Sequence, residues 1–107
     1  MSSSPSTDQE RYAIRCCARA VTLAASRIRA GEEPGNEIGR AENVIATLRA
    51  DRPSHSRVVR QMRNALALIA QAVEEPELQR ACRIARRAER AATAMLAEHG
   101  ASVASAP

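Results

Sequence analysis

Apolar residues recur at alternating intervals of three and four in four stretches of the chain. In the clearest stretch, residues 59–73, they place Val59, Met62, Leu66, Ile69 and Val73 on one helix face. This spacing is typical of an amphipathic helix that packs against neighbours on one side. Similar spacing predicts three further helices, through Ile14, Cys17, Val21, Ala24 and Ile28; through Ile38, Ala41, Ile45 and Leu48; and through Leu78, Ala81, Ala85, Ala88, Ala92 and Met95.

Turn and capping residues separate these stretches. Thr7 followed by Glu10 is a capping box, which predicts the start of the first helix. Gly31 is expected to end that helix, and Asn36 is expected to cap the second one. Pro76 is suited to the first turn of the fourth helix. The short connections favour antiparallel neighbours.

The predicted fold is all-α, a small antiparallel up-down four-helix bundle with three long helices and one short helix. Tyr12 is the only aromatic residue, so an alanine-rich core is expected, with closely spaced backbones. We predict one bundle domain over residues 7–100, with disordered tails at 1–6 and 101–107. Because each alanine buries little area, self-association is a plausible way to add buried surface.

The charges are unevenly distributed along the predicted helices. All 16 basic side chains other than histidine are arginine, against 12 acids, for a net charge of +4. This balance favours anionic partners. The arginines occupy outward positions in the middle of the helices, whereas the acids gather at helix starts and corners. An antiparallel bundle would therefore carry a positive belt around its waist and an acidic cap at the end that holds the 1–2 and 3–4 corners.

Surplus apolar residues predict an interface with a partner protein or a second copy. A second stripe lies beside the main one on the first helix, and other apolar residues lie outward on the third and fourth helices. Such a surface is better explained by another surface that covers it. The predicted interface residues are Cys16, Ala20, Leu23, Leu68, Ile84 and Leu96.

The stretch from Val44 to Met62 resembles the turn and recognition helix of bacterial helix-turn-helix DNA-binding regulators. It departs from their pattern at Ile45, Arg49 and His55. The resemblance implies that arginines early in the recognition helix contact DNA bases, since arginine is the commonest specific donor to guanine. The candidate nucleic-acid contacts are Arg52, Arg57, Arg60 and Arg63, with Arg83, Arg87 and Arg90 of the fourth helix as phosphate contacts.

Residue types that carry chemistry are sparse. Three cysteines without CxxC spacing, no secretory leader and no apolar run of membrane-spanning length indicate a reducing cytoplasm. His55 and His99 have no carboxylate paired with them in the sequence pattern, which is a weak basis for a metal or catalytic site. We therefore expect no enzyme activity, no cofactor, no metal and no small-molecule substrate.

These features predict a non-enzymatic interaction module: an adaptor, regulator or assembly subunit. It would bind a partner protein or itself, most readily as a homo-oligomer, through an apolar helix stripe with a basic rim. The alternative is a nucleic-acid-binding regulator that uses residues 44–62 and the surface arginines.

Overall fold

The computed structural model describes residues 8–48 and 53–99 of the 107-residue chain. Over these ranges the fold is all-helical, with 87% of the residues in helices and none in a strand. The helices are α1 (Asp8–Arg29), α2 (Asn36–Thr47), α3 (Pro53–Glu74) and α4 (Leu78–Glu98). The prediction of an all-α fold with four helices is confirmed. The predicted tails and the Thr7 half of the capping box lie outside the described residues.

The end of α1 follows the predicted glycine signal. Gly31 has a φ of 79°, in the left-handed region that favours glycine. Its backbone N–H donates to the carbonyl of Ile28 (3.0 Å), and the N–H of Glu32 donates to the carbonyl of Arg27 (2.8 Å). This pair of bonds is a Schellman motif, which satisfies carbonyl groups left over at a helix C-terminus.

Two helix starts differ from the prediction. Asn36 is the first residue of α2 rather than its cap, and the Oε1 of Glu37 accepts a hydrogen bond from the backbone N–H of Gly35 (3.0 Å). The side chain of Glu37, rather than that of Asn36, therefore accepts the backbone hydrogen bond at the start of α2. Pro76 lies before α4, which begins at Leu78. Its fixed φ shapes the corner rather than the first helical turn.

Helix α1 contacts each of the other three helices, and α3 also packs against α4. The buried face of α1 is correspondingly wide, because neighbours cover it from several sides. The largest fully buried side chains come from α1 and α3 and from the residue after α2: Ile14, Cys17, Val21, Leu48, Met62 and Ile69.

Val73 and Leu78, which the spacing assigned to the core, are exposed. Ala72, which the spacing did not place in the core, is buried, and Ala81 is buried as the spacing predicts. Val73 and Leu78 flank the α3–α4 corner and line an open depression there, which residues 31–34 line from the other side. The strict three-and-four spacing therefore fails at the ends of these two helices.

Candidate functional site

An apolar groove of about 520 Å³ lies between α1 and α4. Tyr12, Cys16 and Leu23 are spaced by four and seven residues, one and two turns of α1, so they lie on one helix face. Leu96 joins them from α4. The α1/α4 groove is lined by Tyr12, Arg15, Cys16, Ala18, Arg19, Thr22, Leu23 and Leu96.

Two large side chains of this groove are open to solvent. Tyr12 is 63% exposed and Leu23 is 42% exposed, while Cys16 and Leu96 are half-buried. Fully burying a leucine-sized side chain stabilises a protein by about 1.5–3 kcal/mol. A surface that covered the groove would therefore gain binding free energy mainly from apolar contact.

Positive charge borders the groove. Arg15 and Arg19 are its charged lining residues, one helical turn apart and both exposed. Within residues 8–48 and 53–99, neither forms an ion pair with a carboxylate. The hydrogen bond and the charge of neighbouring Cys16 raise the pKa of Tyr12, although Arg15 opposes the shift. The phenol stays neutral at physiological pH, and the groove keeps its positive character.

The two adjacent cysteines of α1 differ in environment. Cys17 is fully buried, and burial, aided by the charge of Cys16, raises the pKa of its thiol to about 12. The thiolate is the reactive form of cysteine, so Cys17 behaves as a small core residue. Cys16 is half-buried and opens into the α1/α4 groove.

The structure brings together three of the six predicted interface residues, Cys16, Leu23 and Leu96, in the α1/α4 groove. Ala20 is only 5% exposed and belongs to the core, because the buried face of α1 is wider than a single stripe. A residue in the core offers no surface to a partner. Leu68 and Ile84 are partly buried against the core and do not line the groove.

The candidate nucleic-acid contacts lie on the surface wherever they are described. Arg57, Arg60 and Arg63 of α3 are exposed, and so are Arg83, Arg87 and Arg90 of α4. Arg57 is held by an ion pair, with its Nη2 at 2.6 Å from the Oε2 of Glu98. Arg52 lies outside the described residues.

A buried hydrogen bond between two distant side chains is a feature that the spacing of the sequence does not predict. The Nδ1 of His55 donates to the Oε2 of Glu10 at 2.8 Å, and the two side chains are only 5% and 7% exposed. The expectation that His55 lacks a carboxylate partner is therefore wrong. Glu10 lies 45 residues away in sequence, and only the packing of α1 against α3 brings the two together.

His99 also has polar neighbours. Its Nε2 donates to the Oε1 of Gln61 (2.8 Å), and the Nε2 of Gln61 donates to the Oε1 of Glu98 (2.9 Å). Glu98 in turn pairs with Arg57. This chain of bonds ties the end of α4 to the first turns of α3 and gives His99 a structural role.

No protein-family model, curated protein or solved structure matches this chain. In the part of the chain that the structure describes, no three histidine, cysteine or carboxylate side chains are grouped as metal ligands would be. None of the helices described there combines the length and apolar character needed to cross a bilayer. The function is therefore inferred from the geometry of the molecule itself.

Proposed function

We propose that this chain is a non-enzymatic interaction module of the cytoplasm that self-associates through the α1/α4 groove. It would act as an adaptor, a regulator or a subunit of an assembly, without a cofactor, a metal or a small-molecule substrate. The observation that carries this proposal is an apolar groove with exposed Tyr12 and Leu23 and with arginines at its border. Such a groove is suited to the side chains of another protein surface.

We also infer an antiparallel up-down arrangement for this module. The bond between Glu10 and His55 supports it by joining the start of α1 to the start of α3. The ion pair between Arg57 and Glu98 joins the start of α3 to the end of α4. Neighbouring helices would then run in opposite directions, and alternate helices would be parallel.

An alanine-rich core makes further burial useful to this chain. Twelve of the 23 buried hydrophobic residues in the described ranges are alanine. Alanine allows close helix packing but removes little apolar area from water. Covering the α1/α4 groove with a second surface would add larger side chains to the buried total.

Sedimentation velocity of the wild type and a Leu23→Glu variant tests the proposal. Wild type should associate reversibly between roughly 1 µM and 1 mM, the range of weak to moderate affinity. Leu23→Glu loses apolar contact and places a charge in the interface, so the dissociation constant should rise by about tenfold or more. Ala67→Glu is the matched control, since Ala67 is exposed on α3 outside the groove. A wild type that is monomeric throughout this range contradicts the proposal.

The second candidate function is nucleic-acid binding. Arg83, Arg87 and Arg90 favour it because they are exposed and spaced to share one face of α4. Gel shift with duplex DNA over a salt series is the test. Replacing all three arginines with glutamine should reduce the slope of log affinity against log salt by about 2.7. Absence of binding by the wild type near 50 mM salt, where such contacts are strong, would remove this candidate.

A further inference from the structure

The exposed large hydrophobic residues of the described ranges lie on two separate surfaces. Tyr12 and Leu23 line the α1/α4 groove. Val73 and Leu78, which are 45% and 55% exposed, line a second depression of about 170 Å³ beside the α3–α4 corner. This second surface is called the end patch. It contains Val73, Leu78 and Pro76 with the carboxylates of Glu32, Glu33 and Glu75.

The two apolar surfaces carry opposite charges. Arginines are the charged residues that line the α1/α4 groove, and glutamates are the charged residues that line the end patch. Each surface thus combines exposed apolar side chains with lining charges of one sign, and Glu32 of the end patch also pairs with Arg27 of its own chain (3.6 Å from Nη1 to Oε1). Complementary charge around an apolar contact steers association and fixes its register.

The end patch of a chain cannot fill the groove of the same chain. Ile28 lines the end patch, and Leu23 is the groove residue nearest to it along α1. The two lie five residues apart on one helix, roughly 7.5 Å at the rise of an α-helix, so the two surfaces cannot move onto each other. The α3–α4 corner is also fixed by the helices on either side of it, so the match can be made only between two molecules.

We propose that the α1/α4 groove of one molecule binds the end patch of a second copy. Val73 and Leu78 of one copy would pack against Tyr12 and Leu23 of the other, and Glu32, Glu33 and Glu75 would face Arg15 and Arg19. This inference rests on the proposed function and names the surface that fills the groove. A groove-to-groove dimer would instead bring the arginines of both copies together, and like charges in a contact oppose binding.

Contact between two different surfaces has a consequence for assembly. Each copy in a dimer keeps one unused groove or one unused end patch, so further copies can add in the same way. Such head-to-tail contacts generate rings if the rotation closes and open filaments if it does not. Wild-type protein should therefore form species larger than a dimer as its concentration rises.

Two variants that each block one surface test this arrangement. Leu23→Glu blocks the groove, and Val73→Arg blocks the end patch by placing a positive charge among its glutamates. Both positions are exposed, and arginine near the C-terminus of α3 is favourable to the helix dipole. Far-UV circular dichroism verifies that both fold. Ala67→Glu and Ala67→Arg introduce the same charges on α3 outside both surfaces.

The decisive measurement is sedimentation velocity of the two variants separately and mixed in equal amounts. Each variant alone should self-associate about tenfold or more weakly than the wild type, and should be monomeric at concentrations where the wild type has begun to associate. The mixture should form a 1:1 dimer and nothing larger, because an intact groove meets an intact end patch only once. The Ala67 controls should associate as the wild type does, and added salt should weaken that association.

Other results would overturn the inference in distinguishable ways. If Val73→Arg associates like the wild type while Leu23→Glu is monomeric, the groove binds a surface other than the end patch. The proposed function then stands and this inference fails. If the variants do not form a dimer when mixed, the inference also fails. If the wild type is monomeric, or if Leu23→Glu associates unchanged, the proposed function fails together with it.

Discussion

The buried pair of Glu10 and His55 gives the sharpest prediction about stability. Replacing His55 with alanine leaves the carboxylate of Glu10 in a site that is 93% shielded from solvent, without the 2.8 Å bond from the imidazole. Removing one partner of a buried hydrogen bond costs about 1–3 kcal/mol, because the remaining polar group stays desolvated. That loss is large against the roughly 5–15 kcal/mol that stabilises a typical domain.

Urea denaturation followed by far-UV circular dichroism measures this loss as a change in the free energy of unfolding. A domain of this size should also melt at a temperature lower by about 4 °C or more, at roughly 4–8 °C per kcal/mol. The midpoint should shift while the dependence on urea stays constant, since the area exposed on unfolding changes little.

The double variant Glu10→Leu/His55→Leu distinguishes the cost of leaving one polar group unpaired from the cost of removing both. With both polar groups removed, its free energy of unfolding should lie within about 1 kcal/mol of the wild type or above it. The two single leucine variants should each be much less stable. A cost of less than about 1 kcal/mol for His55→Ala would contradict this prediction, since it lies below the range for a broken buried hydrogen bond. The prediction also fails if the double variant loses as much as the two single variants combined, since that result indicates no coupling.

Three further predictions concern single positions. An alkylating reagent should modify Cys16 in the native protein and Cys17 only after unfolding, as measured by mass spectrometry of the digested protein. Equal alkylation rates for the two thiols would contradict the assignment of Cys17 to the core. The pKa of Glu37 lies below its ordinary 4.5, because its carboxylate accepts hydrogen bonds from the backbone N–H groups of Glu37 and Gly35 and from Arg27. Glu37 therefore contributes its full stabilisation above that pH, and the stabilisation is lost as the pH falls through the native pKa. Glu37→Gln should flatten this acid dependence in urea titrations between about pH 5 and 2, the range in which a lowered carboxyl titrates. Gly31→Ala should destabilise the fold by about 1 kcal/mol because Gly31 has a positive φ, whereas Gly39→Ala inside α2 should stabilise the fold by a similar amount. Neither new methyl group would contact a neighbour. Thermal melts in which the two variants shift in the same direction would contradict this prediction.

Local signals in the sequence predicted the helices, because periodicity and breaking residues act within a few turns. Gly31 ends α1 as expected, and Val59, Met62 and Ile69 are buried as their spacing indicates. The exposure of Val73 could not be read from spacing, because it depends on which neighbours reach the α3–α4 corner.

The candidate site was predictable in part for the same reason. Cys16 and Leu23 share a helix face, which sequence spacing reveals directly. Their meeting with Leu96 depends on how α4 lies against α1, and the burial of Ala20 depends on how many helices cover α1. The pairing of Glu10 with His55 left no local signal at all, since an acidic residue near a helix start has an ordinary explanation in the helix dipole.

The inner face of α4 has one more consequence. Its buried residues are Ala81, Ala85, Ala88, Ala92 and Met95. Four of these five are alanine, whose methyl group has no rotamers to lose, so among them only Met95 loses side-chain motion when this face is buried. Burying this face also dehydrates little hydrocarbon, and the heat capacity of unfolding follows the apolar area exposed. Calorimetry should therefore find a value at or below the usual ~12 cal/mol/K per residue, and a protein whose stability changes unusually slowly between cold and warm.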